Sequence, residues 1–159
     1  MNKPTVLHLL PGISLTGGTA AKVLSLIKQS QYTHIVFVPI RSEEEKKYTE
    51  QWKQINNCIL IEGLNRKNYI KSILKIKAII KQYNINIVHS YFPPETIIAS
   101  LVKRCTSNIK IIRSFEGYAK QNTIKRKIIS FSLKNFDSLI YISQYIKKCY
   151  QDSIPKTLH

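Results

Sequence analysis

At 159 residues and 43% hydrophobic side chains, the chain is long enough for one domain with a single buried core, and no apolar run approaches the roughly 18 residues of a membrane span. Lys and Arg number 25 against 9 Asp and Glu, a formal charge of +16, which draws in phosphates, acidic sugars, anionic lipid headgroups or nucleic acid without choosing among them. The three cysteines, Cys58, Cys105 and Cys149, are scattered with no CxxC or Cys/His spacing, which argues against a zinc site and reads as reduced thiols in a cytoplasmic protein.

The start, "MNKPTVLHLLPG", imitates a signal peptide, but its apolar part is short and broken by His8 and Pro11, so cleavage is not expected. "TVLHLL" (5–10) reads as a first strand. Thr19 is placed to cap a helix over about 20–30, where Val23, Leu24 and Ile27 recur at helical spacing. "HIVFVPI" (34–40) is a second strand, and 42–54 a helix opened by Ser42 and three glutamates. "NCILIEG" (57–63) is a third strand. A helix over about 66–83 follows, with Ile70, Ile73, Leu74, Ile80 and Tyr83 along one stripe. "INIVHS" (85–90) is strand four, and 94–104 a helix with Pro and Glu in its first turn. "IKIIRSF" (109–115) is strand five, 122–136 a basic helix, "SLIYIS" (138–143) strand six, and 143–151 a closing helix capped by Ser143.

Apolar strands alternating with helices imply a parallel sheet covered on both faces. The expected fold is a Rossmann-like three-layer α/β/α domain of about six strands, ordered 3-2-1-4-5-6. Its ligand crevice lies beyond the carboxyl ends of strands one and four. The "PGISLTGGTAAK" (11–22), "HSYFPPE" (89–95) and "RSFEGYAK" (113–120) loops all edge that crevice.

The first loop is not a P-loop: Gly12 and Gly17 have the spacing, but Gly18 stands where the phosphate-reaching lysine belongs. GxGxxG is absent, and strand two ends in Pro39–Arg41 rather than an acid for a ribose. No acidic residues follow strand one, as a phosphoacceptor receiver domain would need. Two readings of Gly17 and Gly18 stay open: close approach of a ligand to the first helix N-terminus, or relief of strain in the turn.

In order and spacing, "VLHLLPGISLTGGTAAKVLSLIK", "INIVHSYFPPETIIASLVKR", "IKIIRSFEGY" and "DSLIYISQYIKK" resemble the N-terminal half of family 4 (group 1) glycosyltransferases of the GT-B type. The resemblance implies an acceptor-side domain, with the nucleotide-sugar co-substrate held mainly by a C-terminal domain across a cleft, no other cofactor and no essential metal. Transfer to a glycan or lipid-linked acceptor, hexosyltransferase-like, is the implied activity. Residues 1–159 would be the single N-terminal domain; the donor-binding domain would have to come as a second domain or subunit, and this chain alone would be inactive.

Carried over by resemblance, Gly17, Gly18 and Thr19 face the donor phosphates or the acceptor. His89, Ser90 and Tyr91 line the acceptor side, with Arg113, Gly117 and Tyr118 as further substrate contacts. Glu116 stands where the family usually has a catalytic His. A carboxylate there accepts a hydrogen bond from a hydroxyl but cannot donate as an imidazole does; alternatively it pairs with Arg113 or a lysine. His89 reads as a hydrogen-bonded strand end, His8 as core, and His34 carries no signal.

Lys125, Arg126, Lys127 and Lys134 cluster on the helix that carries Ile124, Ile128, Ile129, Phe131 and Leu133. The cluster is a solvated face over a buried stripe, or a patch for an anionic membrane on the inner face of the plasma membrane, where each basic residue contributes roughly 1 kcal/mol. The rival to a transferase half is a non-catalytic remnant, or a basic membrane- or nucleic-acid-binding module, of the same fold. No nucleic-acid recognition motif accompanies the charge.

Overall fold

The computed structural model describes residues 3–40, 42–117 and 123–150. Six strands, β1 (Thr5–Leu9), β2 (Thr33–Val38), β3 (Cys58–Glu62), β4 (Ile87–Ser90), β5 (Lys110–Phe115) and β6 (Ser138–Tyr141), alternate with helices. These are α1 (Gly18–Gln29), α2 (Glu43–Lys46), α3 (Thr49–Lys53), α4 (Tyr69–Tyr83), α5 (Pro93–Arg104), α6 (Thr123–Leu133) and α7 (Gln144–Tyr150). The sheet order is β3-β2-β1-β4-β5-β6, and every pairing is parallel. The fold is thus the expected Rossmann-like one, and its chain reversal between β1 and β4 opens a crevice at the strands' carboxyl ends.

Alternation along each strand sorts side chains onto two faces. Leu7, Leu9, Ile35, Phe37, Val88, Ile111 and Phe115 join Ile76, Ile79, Ile98 and Leu133 of α4, α5 and α6, together with Ile146 and Tyr150 of α7, in one core. Val36 and Val38 lie on the other face, packed with Leu10, Ile13, Val23, Ile27 and Trp52. Leu10, Ile13 and Trp52 are fully buried, so the segment after β1 is part of this second core.

Three local expectations need correction. The 42–54 segment is two short helices with a break at 47–48. Ser42 does cap the first, its side chain accepting from Glu45 N–H while the Glu45 carboxylate accepts from Ser42 N–H. On α4 the buried residues are Ser72, Ile76, Ile79 and Ile80, while Ile70 and Leu74 are 72% and 65% exposed. Isoleucine at 70, 73, 76, 79 and 80 offers the helix more than one apolar stripe, and the sheet beneath selects which one is buried. Finally, Thr19 is not a cap: α1 starts at Gly18, with Gly17 at the N-cap and no side chain capping it.

Candidate functional site

The glycine-bearing loop is held rigidly by Ile13. Its side chain is fully buried, its N–H donates to Glu45 Oε1 at 3.0 Å, and its carbonyl accepts from Trp52 Nε1 at 3.1 Å. The break between α2 and α3 lets both partners reach the loop from one short stretch of sequence. Beyond the loop, between it, the α1 N-terminus and Phe92, lies an open cavity of about 390 Å³. Gly12, Gly17, Gly18, Thr19 and Glu45 are among the residues lining it.

Gly17 has an ordinary extended backbone, φ −91° and ψ 131°, and of the chain's glycines only Gly63 has positive φ. Among the described residues, a Cβ on Gly18 would meet nothing within 4 Å, and one on Gly17 only the Ser14 carbonyl at van der Waals distance. Neither strain in the turn nor packing among the described residues explains the pair. What their missing side chains do is leave the space above the α1 N-terminus open, where first-turn N–H groups lack intrahelical acceptors.

On the far side of α1, Lys22 Nζ lies 3.0 and 3.1 Å from the two oxygens of Glu116. The Glu116 side chain is 10% exposed and that of Lys22 48%. Glu116 is thus ion-paired with a lysine 94 positions away in sequence. The pair ties α1 to the end of β5 and brings the third loop to the crevice.

Beneath the crevice a chain of buried polar groups crosses four strands. His34 Nδ1 lies 2.9 Å from His8 Nε2, His8 Nδ1 2.9 Å from Tyr91 Oη, Tyr91 Oη 3.0 Å from His89 Nδ1, and His89 Nε2 2.8 Å from Ser114 Oγ. His8 and His89 are register partners on β1 and β4, which brings the rings together. Burial holds the His8 imidazole well below its ordinary range, with the His89 and His34 rings adding to it. His89 is held down at about 3 by burial, then by the Lys22 and Arg113 charges. Tyr91 is pushed well up by burial and by Glu116. All three rings are therefore neutral at ordinary pH.

Neutrality makes the chain directional. The single Tyr91 proton goes either to His8 or to His89, and each choice fixes every tautomer. If Tyr91 donates to His89, then His89 donates to Ser114, His8 donates to Tyr91, and His34 donates to His8. His34 Nε2, which has no partner among the described residues, is then an unpaired acceptor. Donation to His8 instead leaves it an unpaired buried N–H, the rarer and costlier case, so the first arrangement is favoured.

Ser90 and Arg113 sit opposite each other in the β4–β5 register, on the sheet face away from His89. Ser90 is fully buried, with Oγ donating to the Ile112 carbonyl at 3.4 Å. Arg113 is 4% exposed, its guanidinium 5.0 Å over the Phe115 ring, its pKa lowered to about 10 by burial. Nearby, fully buried Glu95 pairs with Arg66 Nε at 2.7 Å. Burial raises the Glu95 carboxyl, against the pull of Arg66. The Gly117 carbonyl accepts from Tyr150 Oη at 3.2 Å. Tyr118 lies outside the described residues.

The residues singled out in sequence therefore divide. Gly17, Gly18 and Thr19 line the open cavity, whereas Glu116 is held by Lys22 across α1 and is not among the residues that line it. His89 and Tyr91 are in the buried chain, and Ser90 and Arg113 lie across the sheet. Glu45, Lys22 and His34 had no motif to flag them. The glutamate run at 43–45 hinted at a helix start and nothing more. Among the described residues no group of His, Cys, Asp and Glu is arranged to hold a metal ion, and no helix is long and apolar enough to cross a membrane.

No protein-family profile and no curated protein matches the chain. Solved structures do share its fold. A glycosyltransferase from Rickettsia africae ESF-5 superimposes with a TM-score of 0.73 at 22% identity, over 99% of this chain and 42% of that one. Sucrose-phosphate synthase from Thermosynechococcus elongatus gives 0.72 at 14%, over 99% and 47%. UDP-N-acetylglucosamine 2-epimerase from Rickettsia bellii gives 0.64 at 12%, over 99% and 44%. The chain spans less than half the length of each. At these identities the likeness is one of fold, the Rossmann-like sheet found in glycosyltransferases of the GT-B type.

Proposed function

We propose that this chain is the acceptor-side domain of a family 4-like glycosyltransferase, acting with a second Rossmann-like unit that binds the nucleotide-sugar. The observation that carries the reading is the open space over Gly17 and Gly18 at the crevice, which none of the described residues fills. In this reading the acceptor extends from that cavity across the α1 N-terminus to Glu116, which, oriented by Lys22, accepts a hydrogen bond from the reacting hydroxyl. His89 and Tyr91 are the rigid floor, and the His–Tyr chain fixes their tautomers.

The test is a transfer assay with a panel of nucleotide-sugars and glycan or lipid-linked acceptors. The chain is used alone and combined with a donor-binding domain. Transfer is expected in the combination only, and is lost in Gly18→Leu. Turnover by the chain alone, or by a folded Gly18→Leu combination, overturns the reading.

A second reading is favoured by α6. Ile124, Ile128 and Phe131 recur at i, i+4 and i+7 and are 71%, 46% and 55% exposed. Only Ile129, Ser132 and Leu133 face inward. Arg104 and Lys134 lie over the Phe131 ring at 4.8 and 6.0 Å, and Arg126 and Lys127 are exposed. An apolar stripe flanked by cations suits the headgroup region of an anionic bilayer. Binding to phosphatidylglycerol vesicles but not phosphatidylcholine vesicles, weakened by Arg126→Glu with Lys127→Glu, is the expected sedimentation result. Equal binding to both vesicle types rules it out.

A further inference from the structure

Charge is divided unequally between the two layers of helices. α4, α5, α6 and α7 pack on one face of the sheet, and fully buried Glu95 is the one acidic residue among these helices. Glu43, Glu44, Glu45 and Glu50 stand on α2 and α3, on the face shared with α1 and Trp52. The helices of the first layer therefore expose cations and no carboxylate.

The same layer exposes apolar side chains. On α4, Ile70, Leu74, Lys77 and Lys81 recur at i, i+4, i+7 and i+11, all exposed, while Ser72, Ile76 and Ile79 are buried. Ile124, Ile128 and Phe131 repeat the pattern on α6. α5 packs between these two helices, and its exposed Arg104 lies over the Phe131 ring, so the α6 stripe opens on the α5 side of the layer. Each helix runs back from the carboxyl end of one parallel strand toward the amino end of the next. Ile70 and Ile124 are each the second residue of their helix, so both apolar stripes begin at the crevice end.

A nucleic acid would pair with the cations and leave the apolar stripes in water. An anionic bilayer uses both: its phosphates meet Lys and Arg, and the apolar side chains enter the headgroup boundary. We infer that α4 and α6 form one docking face for an anionic lipid bilayer, two helices wide, which seats the crevice rim at the membrane surface. The inference rests on the α6 reading above and extends it to a second helix and to an orientation.

Trp52 is the single tryptophan and is buried on the opposite face, so it gives a constant background. Leu74→Trp on α4, Phe131→Trp on α6 and Leu26→Trp on α1 place an exposed reporter on each helix. Each 159-residue variant, checked for folding by circular dichroism, is titrated with phosphatidylglycerol and with phosphatidylcholine vesicles. The readouts are emission wavelength and quenching by brominated acyl chains. Leu74→Trp and Phe131→Trp are expected to shift to the blue and be quenched with phosphatidylglycerol only, and Leu26→Trp to do neither. Lys77→Gln with Lys81→Gln weakens binding roughly twentyfold, at about fivefold per cation. Lys28→Gln with Lys47→Gln, the same change of net charge on the α1–α3 layer, leaves binding near wild type because salt screens charges so far from the bilayer.

A response in Phe131→Trp without one in Leu74→Trp overturns the two-helix face and leaves the α6 reading standing. A response in neither overturns both. Equal losses from the two lysine pairs, or a Leu26→Trp response like the others, would mean attraction by net charge and not by a face, and overturn the inference. Blue shifts produced by duplex DNA and not by vesicles assign the layer to nucleic acid and overturn it as well.

Discussion

Replacing Gly18 separates what the fold needs from what a ligand needs. Gly18 is the first residue of α1, its φ is not in the left-handed region, and an added Cβ meets nothing within 4 Å among the described residues. Alanine at a compatible position reduces the freedom of the unfolded chain and raises helix propensity, together worth about 0.5–1 kcal/mol. Gly18→Ala is therefore expected to be more stable than wild type by that amount. In a domain of this length it corresponds to a rise in melting temperature of about 1–4 °C. Urea and thermal denaturation followed by circular dichroism measure it. Gly18→Leu, with the same backbone and a side chain projecting into the cavity, is expected to stay folded and lose ligand response. A loss of more than about 1 kcal/mol in Gly18→Ala would refute the reasoning, because the glycine would then be serving the fold.

Tyr91→Phe removes the hub of the buried chain and strands the facing nitrogens of His8 and His89. It is expected to cost about 2–4 kcal/mol in urea denaturation, and a change under about 0.5 kcal/mol would mean the chain is not intact. Acid stability follows from His89: an unfolded imidazole binds its proton near 6.5 and the folded one near 3. Between those values the unfolded chain holds more protons, so stability present above pH 6.5 is lost as pH falls toward 3, by up to ~5 kcal/mol from this group. Denaturation midpoints that stay flat from pH 7 to 4 refute it. Arg66→Ala removes the cation paired directly with the fully buried Glu95, an expected loss of about 3–5 kcal/mol near neutrality. That loss shrinks as the carboxyl protonates at lower pH; an equal loss at pH 5 and pH 8 would show that charge is not the cause.

The sheet was legible from sequence because each strand is a short apolar run bounded by polar or turn residues, and several of the helices between them carry start signals. Ser42 and Ser143 cap as their positions imply, Ser143 Oγ accepting from Ile146 N–H at 3.2 Å. Alternation of strand and helix then left one simple topology, and topology alone placed the loops at 11–18, 90–95 and 114–117 on one edge. Local preference could not choose the buried stripe of α4, since a helix so rich in isoleucine has several, and only the sheet it packs on decides. It likewise assigned the cap to Thr19, because hydroxyl residues are better caps than Gly17, while the rigid Ile13 anchor set the helix start earlier. The site residues lay further out of reach. His34 joins His8 and His89 because parallel register stacks them on one face, Lys22 meets Glu116 across 94 residues, and Glu45 enters the cavity because Trp52 and Ile13 lock the loop against α2 and α3. Sequence fixes the chemistry each side chain can perform; which of them share a cavity is a property of the packed sheet, because contact between distant residues is decided by register and burial and not by spacing along the chain.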